Sequence, residues 1–243
     1  ALDGSDTPES GGKRPLDRLT DFGFRAGVSS LVKDGLILHA NLSRRSRFPS
    51  LRELYSGALG RFVPNPHLRP ETLFGSEAGV SFGEDNSSIQ VVGFYQRLRN
   101  GIVRSSVAGI DGIHRFKRIN HDRVKSLGLE LLAVRTMGLT TFSGDLTIQD
   151  VTGLDGKGTR VELEYEPVIT GRVGLEAPLG NVFRASGNVR IIGSQMCENP
   201  EIGGLQSLPY SGMLDFRLRS FFTLHSGSAL SRVEAGVGLA NAT

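Results

Sequence analysis

The sequence has no tryptophan, one cysteine and only 7% aromatic residues among its 243 positions. The lone Cys197 rules out an intramolecular disulfide framework. The longest run without a charged residue, 202–214, is much shorter than the roughly 20 apolar residues that a membrane-spanning helix needs. The formal net charge of +3 is too small to indicate a nucleic-acid partner. Disulfide-rich scaffolds, helical membrane proteins and nucleic-acid-binding domains are therefore not expected.

Apolar and polar residues alternate along most of the chain. Phe22, Phe24 and Ala26, for example, alternate with Gly23 and Arg25. Such a period of two predicts β-strands that each have one apolar and one polar face. Ten segments have this character, and only one of them, 89–98, is ambiguous in phase. The segments are 22–29, 36–43, 76–82, 89–98, 126–133, 142–149, 169–176, 183–191, 214–219 and 232–239.

The connections between these segments alternate between short and long. Five tight connections are rich in Gly, Asn and Asp, as hairpin turns are: 32–35, 83–88, 136–138, 179–181 and 225–229. Four long connections separate them: 47–71, 100–114, 151–166 and 195–209. Strands of about ten residues, with short turns at one rim and long loops at the other, are typical of outer-membrane β-barrels. The sequence therefore predicts an all-β, antiparallel, up-and-down transmembrane barrel sheet.

Two architectures place the apolar faces differently. In a membrane barrel the apolar face contacts lipid and the polar face lines a wet interior. In a soluble β-sandwich, such as an adhesin or a carbohydrate-binding module, Leu38, Leu129, Val173 and Phe216 would instead meet in a dry centre. We favour the barrel, with the sandwich as the alternative. The predicted interior residues are Arg25, His39, Glu77, Glu130, Asp145, Arg172, Arg184, Arg190, Arg217 and Arg219.

Three stretches carry a resemblance to a known family. The first, RFPSLRELYSGALGRFVPNPHLRPE (47–71), contains an FRAP-like motif followed by an NPxLxPE-like motif that leads into the next strand. The others are RFKRINHDRVKSLGLELLA (115–133) and SRVEAGVGLANAT (231–243). Together they resemble TonB-dependent outer-membrane receptors over most of residues 22–243.

The resemblance implies a particular domain organisation. A complete receptor of this family is a plugged barrel of roughly 22 strands, whereas this sequence shows about ten strands, no plug domain and no final strand. We therefore expect residues 22–243 to form part of the barrel, as a curved sheet that does not close fully. Residues 1–21, which lack the apolar centre of a signal peptide, are expected to form an extracellular loop segment.

The resemblance also implies a function. Receptors of this family import a bulky, scarce nutrient, such as an iron–siderophore complex, across the outer membrane of a Gram-negative bacterium. The implied partners are outer-membrane lipid and lipopolysaccharide, a metal chelate or other small ligand, and the TonB complex acting through the absent plug. Transport of this kind needs neither catalysis nor a cofactor of its own.

The segment 47–71 is predicted to be a folded surface element. Its four prolines, Pro49, Pro64, Pro66 and Pro70, prevent it from extending the sheet, and Ser50 is placed to cap a helical turn. Guanidinium groups bind phosphate and carboxylate in a bidentate way, so we expect this region to face an anionic ligand or lipopolysaccharide; solvated loop charge is the alternative. The candidate residues are Arg44, Arg45, Arg47, Phe48, Arg52, Tyr55, Arg61, Asn65, His67 and Arg69.

Neither a metal site nor a catalytic site is predicted. His114, His121 and Asp122 include metal-ligating types, but neighbouring cations such as Arg115 and Arg123 would repel a metal ion. The sequence also contains no G-x-S-x-G nucleophile elbow.

Overall fold

A computed structural model describes residues 19–57, 61–108, 114–154, 159–161, 163–199, 204–223 and 232–241. In these ranges no helix is long and apolar enough to cross a membrane. The elements are β1 (Phe24–Lys33), β2 (Leu36–Arg47), α1 (Leu51–Tyr55), β3 (Phe62–Val63), β4 (Glu71–Glu84), β5 (Ser87–Ala108), β6 (His114–Met137), β7 (Thr140–Leu154), β8 (Arg160–Val161), β9 (Ile169–Leu179), β10 (Phe183–Ile192), β11 (Gln195–Asn199), β12 (Gly204–Leu208), β13 (Ser211–Thr223) and β14 (Arg232–Leu239).

Ten long strands form one antiparallel sheet in the order β1-β2-β4-β5-β6-β7-β9-β10-β13-β14. Long strands that follow one another in the chain pair with each other, which confirms the predicted up-and-down arrangement of ten strands. The short β3 pairs in parallel with β6, β8 pairs with β7, and β11 and β12 form a separate hairpin. In the described ranges no pairing joins β1 to β14. The sheet is therefore open, as predicted for a partial barrel.

The register places the apolar residues of successive strands on one face. A single row runs from Leu38 through Val80, Val91 and Leu131 to Leu146. Residues that face each other across antiparallel strands lie on the same side of a sheet. The same register settles the ambiguous phase of 89–98, because Val91 can join this row only if the odd-numbered residues of β5 share the apolar face.

The apolar face is exposed. Leu38, Leu129, Val173 and Phe216 have exposed fractions of 47%, 57%, 66% and 48%, so they do not meet in a dry centre. A sandwich would bury them between two layers, and none of the described elements covers them. An apolar face of this kind is what contact with lipid requires.

Three of the predicted hairpin turns have the backbone that their glycines require. Gly35, Gly138 and Gly180 have φ angles of 74°, 60° and 70°, in the left-handed region that glycine adopts without steric cost. These residues lie at the turns β1–β2, β6–β7 and β9–β10. The predicted turn 225–229 lies outside the described residues.

The predicted long loops are partly wrong. Residues 100–108 continue β5, and β6 begins at His114, so these strands reach 22 and 24 residues. The loop 195–209 contains the β11–β12 hairpin, and β7 extends to Leu154. Alternation fails as a signal here because residues 100–108 and 114–122 carry polar side chains on both faces of the sheet.

Replacing an apolar-face residue of β6 with arginine tests the orientation of the sheet. We expect Leu129→Arg to lower the free energy of unfolding in lipid vesicles by about 2–4 kcal/mol, because a guanidinium at hydrocarbon depth loses its hydration. The matched control on the opposite face of the same strand, Leu132→Arg, should cost less than about 1 kcal/mol. Urea titration in vesicles measures both, and equal losses would contradict the assigned orientation.

Candidate functional site at the rim of the sheet

Residues 48–70, which join β2 to β4, form a segment that we name the strap. It begins with α1, whose N-terminus is closed by a capping box. The Ser50 hydroxyl accepts a hydrogen bond from the Glu53 amide at 3.3 Å, and the Glu53 carboxylate accepts one from the Ser50 amide at 2.8 Å. The predicted helical turn is thus confirmed, although it ends at Tyr55 with Ser56 as its C-cap, one residue before Gly57.

The strap contacts the β5–β6 hairpin in two ways. Its β3 pairs in parallel with β6, so the expectation that the prolines prevent this segment from extending the sheet is wrong for these two residues, which lie between prolines. Its other contacts are side-chain hydrogen bonds. Asn65 Nδ2 donates to the carbonyl of Arg118 at 2.8 Å. The side-chain amide of Asn120 makes two hydrogen bonds to the backbone of Arg69. Its Oδ1 accepts from the Arg69 N–H at 2.8 Å, and its Nδ2 donates to the Arg69 carbonyl at 2.9 Å. Nδ2 also donates to the carbonyl of Asn100 at 2.7 Å. One side chain therefore joins the strap to both strands of the hairpin.

The strap has its own apolar centre. Leu54 and Leu68 are each only 2% exposed and are the most buried large side chains of the described residues. Leu54 follows the capping box in α1, and Leu68 stands inside the NPxLxPE-like motif. The motif resemblance therefore corresponds to a packed and hydrogen-bonded unit.

Arg47 connects the strap to the end of the sheet. Its guanidinium is bound by the carboxylates of Glu53, at 2.9 Å, and Glu71. Glu71 Oε1 also accepts a hydrogen bond from the amide of Ile102 at 2.6 Å. Hydrogen bonds from Arg47 lower the pKa of Glu71 despite its burial. Burial raises the pKa of Glu53, but the hydrogen bonds from Arg47 and Ser50 outweigh it and hold this pKa at about 2.

The three arginines at the end of β2 do not act as one cluster. Arg44 lies in the register row of the apolar face, where Asp21 binds it at 2.8 Å and Phe22 lies beneath it, with its ring centroid 4.0 Å from the guanidinium carbon. Hydrogen bonds from Ser46 and from the Phe22 amide lower the pKa of Asp21 to about 2. Arg45 and Arg47 lie in rows of the polar face. A run of adjacent arginines in the sequence is therefore divided between two environments.

The remaining candidate residues of the strap differ in exposure. Asn65 is occupied by the hydrogen bond described above, and Tyr55 is half-buried. Five side chains are exposed: Phe48, Arg52, Arg61, His67 and Arg69.

The register places all ten predicted interior residues on the polar face of the sheet. Several of them form ion pairs between strands. Asp145 binds Arg172 at 2.9 Å, and Glu176 binds both Arg184 at 3.0 Å and Arg219 at 3.1 Å. Glu77 accepts a hydrogen bond from Asn41. For the other five residues the strand register alone gives the face of the sheet: Arg25, His39, Glu130, Arg190 and Arg217.

Sequence reasoning missed an aromatic and cationic stack that joins the strap to the β5–β6 hairpin. Phe62 of β3 and Phe116 of β6 have ring centroids 5.8 Å apart. Arg104 lies over the ring of Phe116 at 4.4 Å, and Arg118 lies over the ring of Phe62 at 5.0 Å. We name these four residues the rim stack. The alternation of Phe116 and Arg118 was a usable signal, but Arg104 fell in a predicted loop and Phe62 is distant in sequence.

The rim stack suits an anionic ligand with flat apolar surfaces. A guanidinium that rests on an aromatic ring through cation–π contact keeps its N–H edge available for carboxylate or phenolate oxygens. No described carboxylate lies within ion-pair distance of Arg104 or Arg118. The described ranges also contain no group of three or more His, Cys, Asp or Glu side chains that could hold a metal ion. The side chains of His114, His121 and Asp122 lie outside this description.

Comparison with known proteins identifies the family. The model of the TonB dependent receptor-like β-barrel matches residues 2–209. The chain belongs to the TonB-dependent receptors. Membership of this family implies the outer membrane of a Gram-negative bacterium. No curated protein matches the sequence significantly.

Several solved structures share the fold of this chain. The siderophore receptor PirA from Acinetobacter baumannii superimposes with a TM-score of 0.67 at 14% identity, over 91% of this chain and 37% of PirA. A mutant of the ferric enterobactin receptor PfeA from Pseudomonas aeruginosa, in complex with enterobactin, gives 0.68 at 15%, over 91% and 35%. The copper transporter OprC gives 0.68 at 19%, over 89% and 33%. This chain thus spans about a third of each structure.

Acidification should loosen the strap through Glu53. The carboxyl pKa is lowered from 4.5 to about 2, so its ionised form stabilises the strap above about pH 4.5, and this stabilisation is lost as the pH falls from 4.5 towards 2. Hydrogen exchange of the α1 amides, corrected for intrinsic rates, should therefore be faster at pH 3 than at pH 7.

Glu53→Gln should show fast α1 exchange already at pH 7, with a smaller further change on acidification. Glu130→Gln removes a polar-face carboxylate far from the strap and is the matched control, which should behave like the unaltered chain. Equal exchange at pH 7 and pH 3 in the unaltered chain would contradict the role of Glu53.

Proposed function

We propose that this chain forms part of the barrel wall and outer rim of a receptor that imports a bulky anionic nutrient, such as an iron–siderophore complex. The rim stack carries the proposal. It combines two aromatic rings with two guanidinium groups that have no carboxylate partner among the described residues. It lies on the polar side of the hairpin, so a solute entering the barrel would meet it.

The substrate class follows from the chemistry of the rim. Arg104 and Arg118 present N–H donors to oxygens, while Phe62 and Phe116 offer apolar surface to a flat group. The exposed guanidinium groups of Arg52, Arg61 and Arg69 on the strap add positive charge to the same end of the sheet. A chelate with aromatic arms and net negative charge satisfies both features, whereas a neutral sugar would use neither charge.

The rest of the sheet would form the wall of the channel through which the ligand passes, and would take part in no reaction. Its polar face carries paired charges that line a wet interior, and its apolar face would contact outer-membrane lipid. Ligand release inward would depend on a plug domain and the TonB complex, which couple import to the energy of the inner membrane. No catalytic step and no resident cofactor belong to this mechanism.

Removing the guanidinium groups of the rim stack tests this function. In the complete receptor that contains this chain, Arg104→Gln with Arg118→Gln should weaken binding of ferric enterobactin, used as the probe of an anionic aromatic chelate, by about tenfold or more. Each hydrogen bond to a charged group contributes about 1.5–3 kcal/mol. Fluorescence titration and uptake of radioactive iron measure binding and import.

The control for this experiment is Arg123→Gln with Lys125→Gln, which removes two charges from the opposite face of the same hairpin. Its affinity for the probe should stay within about twofold of the unaltered receptor. A ferric trihydroxamate and Cu²⁺ complete the panel. If the receptor binds a member of the panel and the Arg104/Arg118 double variant binds it equally well, the rim stack is not the ligand site.

A further inference from the structure

A groove lies on the apolar face of the sheet near the rim that carries the short turns. Its lining includes Phe82, Ile89 and Phe142, and its volume is about 330 Å³, within the range of ligand sites in proteins. The register puts Ala133 and Gly144 side by side in the row of Phe82 and Ile89. The groove therefore forms where two neighbouring outward positions are small. We name it the apolar groove.

A second cavity continues the apolar groove at the short-turn rim. Ser87 and Arg135 line both cavities. Three carboxylates from the β1–β2 and β4–β5 turns line only the second: Asp34, Glu84 and Asp85. We name it the turn cavity. An apolar space and a charged space thus share two lining residues, which is the arrangement that an amphiphile requires.

The charges of the turn cavity are not neutralised within the part of the chain that the structure describes. No ion pair is formed there by four exposed side chains: Asp34, Glu84, Asp85 and Arg135. Glu84 and Arg135 lie in one register row with Ser87 between them, so their strands are about 10 Å apart. The cavity therefore suits a ligand that carries a negative and a positive charge together.

Arg135 lies at the depth where the apolar band of the sheet ends. From Leu127 to Met137, β6 covers about 34 Å along the strand, which at a tilt of about 45° spans about 24 Å, close to the apolar band of about 25 Å in outer-membrane barrels. Among the outward residues of this stretch only Arg135 is charged. An ionised side chain at the edge of the hydrocarbon requires a partner, and a lipid phosphate lies at this depth.

We propose that the apolar groove and the turn cavity together bind one phospholipid that carries a phosphoethanolamine headgroup. An acyl chain lies along Ile89 and Phe142 in the apolar groove. The guanidinium of Arg135 binds the phosphate through two parallel N–H bonds. The carboxylates of Glu84 and Asp85 accept hydrogen bonds from the ammonium group.

The charges of the turn cavity select this headgroup. A headgroup that is only anionic, such as that of phosphatidylglycerol, satisfies Arg135 but places no cation against the three carboxylates. Short turns of outer-membrane barrels face the periplasm, so the lipid belongs to the periplasmic leaflet. The proposal rests on the membrane placement of the proposed receptor, but its residues lie at the opposite end of the sheet from the strap and the rim stack.

Lipid titration of the complete receptor that contains this chain tests the headgroup. Native mass spectrometry of the receptor in detergent gives the dissociation constants of dioleoyl phosphatidylethanolamine and dioleoyl phosphatidylglycerol. We expect the first lipid to bind about tenfold more tightly, because its ammonium adds hydrogen bonds to charged groups. Glycerophosphoethanolamine, which has the headgroup without the chains, should not displace the lipid at millimolar concentration.

Two variants each remove one feature of the site. Arg135→Gln removes the group that binds the phosphate, and Gly144→Leu fills the apolar groove. Each should weaken binding of phosphatidylethanolamine by about tenfold. A Cβ at Gly144 would lie 3.7 Å from the carbonyl oxygen of Arg172, an ordinary contact, so the leucine fits without moving the backbone.

Each variant has a matched control on the same face. Lys33→Gln removes an outward cation of the same rim that lines neither cavity. Gly187→Leu fills an outward position outside the groove, where a Cβ would lie 3.9 Å from the carbonyl oxygen of Asp215. Both controls should change the affinity by less than about twofold.

Equal affinity of the unaltered receptor for the two lipids would overturn the headgroup assignment, whereas Glu84→Gln with Asp85→Asn should produce that equality. Unchanged binding in Arg135→Gln and Gly144→Leu, or equal losses in their controls, would overturn the site. Displacement by glycerophosphoethanolamine would show that no chain is bound and overturn the lipid assignment.

Two further measurements separate this proposal from the others. Heat-modifiable gel mobility verifies that each variant is folded. Every variant should bind ferric enterobactin as the unaltered receptor does. A receptor that binds no siderophore but prefers phosphatidylethanolamine would contradict the proposed import function and leave the lipid site supported, so the two failures are distinguishable.

Discussion

The pairing of backbone N–H and C=O groups across long strands is the constraint on which the rest of this structure depends. Hydrocarbon offers no hydrogen bonds, so a chain that contacts lipid must satisfy its backbone within the sheet. Once this pairing fixes the register, every side chain is assigned to one face. The row from Leu38 to Leu146 and the ion pair of Asp145 with Arg172 are two results of that assignment.

The strap is stabilised differently from the sheet. Its contacts are a capping box, a guanidinium shared by Glu53 and Glu71, and the amide of Asn120. These polar interactions are local and charge-assisted, which suits a segment with many exposed side chains. The few well-buried apolar side chains of the described chain are found largely here, in Leu54 and Leu68. The strap is consequently a small packed unit that contacts the sheet, whereas the described sheet itself buries few apolar side chains.

The sequence was enough to predict the long strands but not the contacts that form the rim. A period of two identified all ten long strands because each has one apolar and one polar face. The extension of β5 and β6 by residues 100–108 and 114–122 was missed, since apolar and polar residues do not alternate there. Ser50 was recognised as a cap from local pattern. The contact between Phe62 and Phe116 was not predictable, because it depends on the path of the strap across two strands.

Asn120 makes one position of this receptor chemically irreplaceable. Its carbonyl oxygen accepts from the strap while its nitrogen donates to two different backbone carbonyls. Aspartate has the same shape but no donors, and glutamine has the same groups one methylene further out. Because Asn120 binds the backbone of Arg69 and not its side chain, side chains of the strap can change without moving this point of attachment.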